Sequence, residues 1–352
     1  MRFKRVAAAS LLLAALAFAL PLLNVPERTE APEPKIEARE KRWPRAESAA
    51  KNEPESVTPA DSLPGEDAAV MVRLLVNGET KELTLAEYLA GVVAAEMPAA
   101  FEDEALKAQC VAARTYTLYR MLLHPSPEHP EADMCANVQC CQAYISPDER
   151  RERWKADYEE NEKKIERAVS LTDGQCLAWE GEPIFAAFHS SSGGFTEDSG
   201  SVWQAALPYL VSVYSPETEE SVPNFRTETE ISFSDFKNTV SAKYPQAAFG
   251  GEPSGWIGGI ERSLSGRITR AEIGGVSLTG TELRMLFSLR SADIEISETE
   301  RGFVFSVTGY GHGVGMSQYG AETLAAAGSS YKQILEWYYT GAELRNMKEF
   351  LP

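Results

Sequence analysis

The stretch "GVVAAEMP" at residues 91–98 ends an apolar run with a carboxylate and a proline. Just upstream, Thr84 and Glu87 have the spacing of a capping box, which marks the start of a helix. Apolar residues then recur at helical spacing, at Leu85, Tyr88, Leu89, Val92 and Val93. The next position on that face is 96, so the pattern predicts a helix that ends before Pro98 and carries Glu96 on its inward side.

A carboxylate on the inward face of a helix is costly unless it is paired or protonated. Desolvation raises the pKa of such a group, as a general acid working near neutral pH requires. The next predicted helix, "EDEALKAQCVAARTYTLYRMLLH", places Arg114 on the same face as Val111 and Leu118. An arginine beside Glu96 would lower the pKa of the acid instead. The residues alone leave open a catalytic acid, a structural Glu96–Arg114 pair, and an Arg114 that contacts substrate.

Composition and charge limit the partners and the location of the chain. The 352 residues carry a formal net charge of −18, which argues against binding to nucleic acid. Residues 1–25 begin with basic side chains and continue as an apolar stretch of membrane-spanning length, which predicts an uncleaved anchor or, alternatively, a cleaved signal peptide. Residues 26–68, rich in Pro and Glu, predict a disordered stalk. Residues 69–352 are the predicted catalytic region, outside the cytoplasm.

The folded region mixes strand and helix patterns, which predicts an α+β fold with a substrate cleft. The stretch "AVMVRLLVNGETKELTLAEYL" predicts two strands joined by a turn at Asn77-Gly78. The charged residues 147–174 have a thin apolar face, which includes Trp154, and predict one surface helix ended by Gly174. Residues 175–188 then predict a hairpin.

A cluster of metal-ligand side chains follows the second predicted helix. Within thirteen residues the chain has His129, Cys135, Cys140 and Cys141. Zinc binds four such ligands tetrahedrally, and a site closed by four protein ligands is structural. A disulfide between Cys135 and one of the adjacent pair is the alternative, which suits a location outside the cytoplasm.

Two polar, glycine-containing loops are candidates for a site. In "HSSSGGFTEDSGSVW", His189 precedes Ser191 and two neighbouring serines, a pattern that suits a Ser-His hydrolase, a sugar-lined cleft or a structural turn. The expected elbow of a serine hydrolase is missing. In "TGYGHGVGMSQYGAETLAAAG", four alternating glycines surround His312, which predicts close approach of a ligand to the backbone. A helix is predicted to begin near Gln318.

Three stretches together strongly resemble the stage II sporulation protein D (SpoIID) family. They are "YLAGVVAAEMPAAFEDEALKAQCVAARTY", "HSSSGGFTEDSGSVW" and "GYGHGVGMSQYGA", and the resemblance runs from about Val70 to the C-terminus. It implies a membrane-anchored lytic transglycosylase of spore engulfment. Such an enzyme cuts peptidoglycan glycan strands that a partner amidase has stripped of stem peptides, and works with a membrane scaffold of the engulfment complex.

The resemblance also assigns roles to individual residues. It implies that Glu96 is the catalytic acid and that Arg114 and Tyr209 are functional, while Val211 stands where a lysine is common. It supports a zinc loop built from His129, Cys135, Cys140 and Cys141. The motifs predict that the glycan groove is lined by His189, Ser191, His312 and Gln318.

The chemistry implied for this family needs a single carboxylate. The acid protonates the oxygen between N-acetylmuramic acid and N-acetylglucosamine, then takes a proton from the muramyl C6 hydroxyl, which closes a 1,6-anhydro ring. A hydrolase needs two carboxylates, and Glu197 and Asp198 are the nearest candidates for the second. A non-catalytic, peptidoglycan-binding component of the engulfment complex is the other prediction that the sequence allows.

Overall fold

The computed structural model describes residues 65–203 and 205–351, which form a mixed α+β structure. The predicted anchor at residues 1–25 and nearly all of the predicted stalk at residues 26–68 lie outside these ranges. None of the helices in the described ranges combines the length and apolar content of a membrane span.

The helices and strands alternate irregularly along the described chain. The helices are α1 (Leu85–Glu96), α2 (Asp103–Leu122), α3 (Pro147–Trp154), α4 (Tyr158–Leu171), α5 (Ser199–Val202), α6 (Phe233–Lys243), α7 (Gly280–Leu286), α8 (Gln318–Ala326) and α9 (Tyr331–Tyr338). The strands are β1 (Met71–Val76), β2 (Glu79–Thr84), β3 (Met134–Cys135), β4 (Gln175–Trp179), β5 (Glu182–Pro183), β6 (Phe188–His189), β7 (Arg226–Ser232), β8 (Ile257–Arg262), β9 (Ile268–Ile273), β10 (Val276–Thr279), β11 (Ile294–Glu298), β12 (Gly302–Thr308), β13 (Met316–Ser317) and β14 (Glu343–Asn346).

The strands pair into small sheets rather than one large one. The three-stranded sheets have the orders β2-β1-β3, β14-β4-β5, β10-β9-β8 and β11-β12-β7, and β6 pairs in parallel with β13. The predicted turn between the first two strands is confirmed, because Asn77 and Gly78 adopt φ angles of 53° and 81°. Positive φ at both central residues is the requirement of a type I′ hairpin turn.

Helix α1 begins and ends as its sequence predicts. Thr84 Oγ1 accepts a hydrogen bond from the Glu87 N–H at 3.2 Å, and the Glu87 carboxylate accepts one from the Thr84 N–H at 2.8 Å. Met97 is the C-terminal cap, next to Pro98. The apolar side chains on the inward face of α1 are fully buried in a core that α2 shares with α4, α8 and α9.

A second apolar core forms within residues 231–307, where the sequence was least informative. It is built on α6 and α7 and the sheets that contain β9 and β12. Its centre is aromatic: the rings of Phe236 and Phe303 lie 4.8 Å apart in an edge-to-face arrangement. The predicted single surface helix over residues 147–174 is wrong. The chain turns at Lys155, whose φ is 50°, and residues 147–171 form two helices, α3 and α4.

A buried ion pair connects the N-terminal edge of the described chain to the middle of α2. Arg114 Nε donates to Asp67 Oδ1 at 2.7 Å and Nη2 donates to Oδ2 at 2.5 Å, while Nη1 donates to the Gln175 carbonyl at 2.9 Å. Arg114 is 0% and Asp67 1% exposed. The folded region therefore includes Asp67, and the predicted boundary at residue 69 is too late. Composition could not show this, because a long-range partner decides the burial of Asp67.

Replacing Asp67 with asparagine tests this ion pair. The change leaves the Arg114 guanidinium buried without a countercharge, so we expect Asp67→Asn to lower the free energy of unfolding by about 3–5 kcal/mol. Chemical denaturation measures it. Arg73 pairs with Asp133 at the surface, and Arg73→Gln is the control, with an expected change below about 1 kcal/mol. Equal effects of the two variants would contradict a structural role for the buried pair.

Candidate active site

Glu96, at the end of α1, is held by two segments that are distant in sequence. Its Oε1 accepts a hydrogen bond from the Ala143 N–H at 3.1 Å, and its Oε2 accepts one from Gln318 Nε2 at 2.9 Å. Gln318 is the first residue of α8. It directly follows residues 309–317, which contain the alternating glycines and His312 and form the glycine–histidine loop. The structure thus brings together two of the sequence-predicted site residues, Glu96 and Gln318.

The surroundings of Glu96 favour its protonated form. Burial raises the pKa of the carboxyl group, and the hydrogen bonds from Gln318 and Ala143 offset only part of that effect. The negative end of the α1 dipole acts in the same direction as burial. The guanidinium of Arg114 binds Asp67 instead, so the predicted alternative of a Glu96–Arg114 pair is wrong. Arg114 is also fully buried, so it has no exposed surface with which to contact a substrate.

Gln318 is positioned by a buried carboxylate that sequence reasoning missed. Ser317 caps α8 by accepting a hydrogen bond from the Gly320 N–H at 3.2 Å, and its hydroxyl donates to Glu217 Oε1 at 2.5 Å. The same oxygen of Glu217 accepts the Ser192 N–H at 2.6 Å. Glu217 therefore connects residues 190–192, the serine-rich loop, to the start of α8. Nothing in its local sequence marks this role, since Ser192 and Ser317 are both distant along the chain.

His189 and the serines beside it form part of this support. The His189 ring bonds the Val314 carbonyl through Nδ1 at 3.2 Å and the Ser192 hydroxyl through Nε2 at 2.6 Å. His189 is 4% exposed, and Ser191 and Ser192 are 0% exposed. A nucleophile needs access to its substrate, so this His-Ser pair does not form a hydrolase site. The structure likewise places neither His189 nor Ser191 in a groove.

Tyr209 and His312 are also packed against the chain itself. Tyr209 is buried, and its hydroxyl accepts a hydrogen bond from the Phe185 N–H at 3.2 Å. His312 faces a cavity of about 50 Å³ that Arg267 and Arg284 also line. Burial lowers the pKa of His312 to about 4, and the two arginines add to this. Its Nδ1 accepts the Val314 N–H at 3.1 Å, which requires an unprotonated nitrogen there.

The alternating glycines allow the loop to pack closely against its own chain. At Gly313, with φ of 88°, a Cβ would lie 2.6 Å from the Arg267 guanidinium carbon. At Gly315, with φ of 73°, a Cβ would lie 2.0 Å from the Ala187 carbonyl oxygen. Internal packing therefore accounts for both glycines, where the sequence had predicted close approach of a ligand.

An open groove of about 680 Å³ lies beside Glu96. The end of α1 and the residues that follow it form one side, and the other side comes from α3, α4 and the turn between them. The groove is lined by residues 94–100 and by Arg153, Trp154, Asp157, Glu160, Asn161 and Lys164. Sequence reasoning missed this second side, because Trp154 was assigned to the apolar face of a continuous helix. A tryptophan in so charged a segment was the available signal.

The predicted metal ligands come together in the structure. The ligand atoms of His129, Cys135, Cys140 and Cys141 all lie within 4.8 Å of one another. His129 Nε2 lies 3.3 Å from Cys141 Sγ, which is 3.8 Å from Cys140 Sγ. Tetrahedral zinc would separate such atoms by roughly 3.6–3.8 Å, given its bond lengths to nitrogen and sulfur.

Two further observations favour a metal over the disulfide alternative. His129 Nδ1 lies 3.0 Å from the Ala132 carbonyl. A hydrogen bond there leaves Nε2 free for a metal and fixes the orientation of the ring, as in many metal sites. The cysteines of the described residues are free thiols. The donor set therefore fits a metal ion with tetrahedral coordination.

The fold and the groove define a mixed α+β protein with one partly buried acid on an open cleft. Residues 77–179 match the family model SpoIID, described as "Stage II sporulation protein". The chain is 35% identical over 292 residues to stage II sporulation protein D of Bacillus subtilis (strain 168), covering 83% of each chain. These matches show that the chain belongs to the SpoIID family of sporulation proteins.

Two other relatives extend this comparison. Stage II sporulation protein D of Bacillus amyloliquefaciens is 36% identical over 275 residues, which is 78% of each chain. The amidase enhancer of Bacillus subtilis (strain 168) is 29% identical over 303 residues, covering 73% of this chain and 40% of that protein.

The lowered pKa of His312 makes stability depend on pH. In the unfolded chain His312 is protonated below its ordinary pKa of 6.5, whereas in the folded chain it stays neutral until about pH 4. This stability is therefore complete above pH 6.5 and is lost as pH falls toward 4. Between pH 7 and pH 5, wild type should lose roughly 1–2 kcal/mol more than His312→Asn. Urea unfolding of both proteins at both pH values measures this, and identical losses would refute it.

Proposed function

We propose that the protein is a lytic transglycosylase that cleaves peptidoglycan glycan strands, with Glu96 as its acid and base. The observation that carries the proposal is the carboxyl group of Glu96 on an open groove. Burial raises its pKa, and two neutral hydrogen-bond donors hold it. A general acid needs a proton at neutral pH and a fixed position. The family membership supports the link to sporulation.

In this mechanism Glu96 transfers two protons in sequence. The protonated acid donates to the oxygen between N-acetylmuramic acid and N-acetylglucosamine, and the bond from that oxygen to the muramyl C1 breaks. The resulting carboxylate accepts the proton of the muramyl C6 hydroxyl. The oxygen of that hydroxyl bonds to C1 at the same time, which closes the 1,6-anhydro ring. Gln318 and Ala143 donate to the carboxylate and so stabilise it between the two transfers.

A hydrolytic mechanism needs a second carboxylate. The sequence candidate Glu197 is 2% exposed and accepts hydrogen bonds from Ser263 and Ser265 at 2.5 and 2.6 Å. That environment removes it from a role in the groove. Asp157 and Glu160 do line the groove, so the product must distinguish the two mechanisms.

The setting proposed for this activity is the engulfment of the forespore. Anchoring through residues 1–25 would hold the catalytic region at the outer face of the membrane. An amidase that strips stem peptides would supply the substrate, and a membrane scaffold would hold both enzymes. The similarity to a protein named amidase enhancer supports an association with an amidase.

The Glu96→Gln variant tests the acid. It keeps the size of the side chain but has no transferable proton, so we expect cleavage of denuded glycan strands to fall by about 10²- to 10⁴-fold. Mass spectrometry should find 1,6-anhydromuramic ends in the wild-type digest. The exposed variant Glu82→Gln is the control and should keep full activity. Reducing ends in place of anhydro ends would indicate a hydrolase.

A non-catalytic glycan-binding component of the engulfment complex is the second candidate function. The name of the amidase enhancer, which describes an effect on another enzyme, favours it. A wild-type protein that binds denuded glycan, releases no fragments and raises the activity of an added amidase would establish this alternative.

We also propose that His129, Cys135, Cys140 and Cys141 bind zinc as a structural ion. When bound, zinc would supply a cross-link between the ends of the loop that follows α2. The loop is already attached to that helix, because the Tyr116 hydroxyl donates to the Cys140 carbonyl at 3.2 Å. It then leads directly to Ala143, whose N–H binds Glu96. The ordered loop thus supports the position of the acid.

Metal analysis and unfolding test the zinc proposal together. We expect one zinc per wild-type chain and almost none in Cys141→Ala. The variant should unfold more easily by about 4 kcal/mol when free zinc exceeds its Kd a thousandfold. Cys176→Ala, a buried thiol outside the cluster, is the control and should keep its zinc. A metal-free wild type in which these thiols resist alkylation until reduced would support the disulfide instead.

A further inference from the structure

We infer that the turn between α3 and α4 forms a binding subsite for a neutral pyranose, with Trp154 as its platform. The inference rests on the proposed function, because it places a sugar of the glycan strand in the groove that contains Glu96. It adds a specific position and a specific kind of sugar. Trp154 and Asn161 are the residues on which the subsite depends, and Asp157 and Glu160 complete its polar side.

The backbone at this turn adopts a conformation that a lysine rarely accepts. Lys155 has φ of 50° and ψ of −112°, close to the first central position of a type II′ turn, where glycine is usual. A residue other than glycine in such a region costs about 1–3 kcal/mol and persists only where the surroundings impose it. Such strain often accompanies a functional site. Here it interrupts what would otherwise be one helix and turns Trp154 toward the groove.

The surroundings that impose this turn are themselves well anchored. The buried Arg150 guanidinium on α3 donates to both oxygens of Glu162 on α4, at 2.8 and 2.6 Å. Arg150 also donates to the Ile145 carbonyl at 3.0 Å. On the groove side, Arg153 Nη1 donates to the Ala94 carbonyl in the last turn of α1 at 2.9 Å. The turn is therefore held at a fixed distance from the end of the helix that carries Glu96.

The side chains along the turn have their polar groups available for a ligand. Trp154 is half-buried and packs against the core around α1 and α2, so its ring has little freedom to move. Within the described residues, the side chains of Asp157, Glu160 and Asn161 and the Trp154 indole N–H make no hydrogen bond. The opposite side of the groove consists largely of alanines, which leave room for a ring. The groove volume of about 680 Å³ lies within the usual range for ligand sites.

This combination matches the chemistry of a sugar. The face of a pyranose presents C–H groups that pack on an aromatic ring, and its equatorial hydroxyls bond to carboxylates and amides. Small-molecule sites commonly combine such an aromatic surface with a few placed polar groups. Arg153 and Lys164 donate to the Ala94 and Phe101 carbonyls. Asp157 and Glu160 in the same lining balance their two positive charges, so the groove has no excess positive charge to attract an anion.

The two carboxylates also select between the sugars of a glycan strand. Muramic acid that has lost its stem peptide carries a free carboxylate, which Asp157 and Glu160 would repel. N-acetylglucosamine carries no charge. We therefore assign the subsite to N-acetylglucosamine.

Binding measurements in a catalytically inactive background test this assignment. Full-length Glu96→Gln protein should bind the N-acetylglucosamine tetramer in a calorimeter, and adding Trp154→Ala should weaken the binding at least tenfold. Trp154→Phe retains an aromatic ring and should lose less. Asn161→Ala should also weaken binding, whereas Glu159→Gln, next to Glu160 but outside the groove lining, should not. Lys155→Gly should bind normally, because glycine adopts the same backbone conformation without strain.

The outcomes separate this inference from the proposed function. Tetramer binding that is equal with and without Trp154, in variants with wild-type melting curves, would overturn the subsite even if 1,6-anhydro products confirm the activity. The converse result, strong Trp154-dependent binding by a protein that releases no product, would overturn the activity and leave the subsite intact. If Trp154→Ala fails to fold, the Trp154→Phe and Asn161→Ala variants carry the test.

Discussion

The candidate site depends on the two hydrogen bonds that hold the Glu96 carboxylate. One comes from the backbone at Ala143, after the cysteine loop, and the other from the side chain of Gln318 at the start of α8. Three segments of the chain must therefore fold together before the acid has a defined position. Since neither donor carries a charge, they orient the carboxylate without cancelling the effect of burial on its pKa. An arginine in either place would have produced a permanently ionised group.

Much of the remaining polar interior maintains that arrangement. Glu217 joins the serine-rich loop to the cap of α8, and His189 joins the same loop to the glycine–histidine loop. Arg114 is occupied by Asp67 and keeps α2 attached to the N-terminal edge of the fold. Several residues that the sequence motifs assign to a substrate groove are therefore buried instead, and they support the residues around the site.

The groove itself comes from a less distinctive part of the chain. Its second side is a strained turn between two charged helices, fixed by the Arg150–Glu162 pair and by Arg153. In the proposed glycan substrate the N-acetylglucosamine units are uncharged, so an open cleft with one aromatic platform and scattered polar groups suits such a sugar. The acidic character of the whole chain is consistent with this, because recognition of a neutral sugar does not require a basic surface.

The sequence by itself determined the local elements whose signals are short-range. The capping box of α1, the turn at Asn77-Gly78, the helix that begins at Gln318 and the clustering of His129 with three cysteines all follow from spacing along the chain. Only the tertiary structure decided the long-range partners: Asp67 for Arg114, Gln318 for Glu96, and burial for His189. It also decided the break at Lys155, where the helical pattern continues but a buried ion pair imposes a turn. The spacing of apolar side chains indicates which face of a helix is inward. The residue that contacts that face, however, belongs to a segment far away in the sequence.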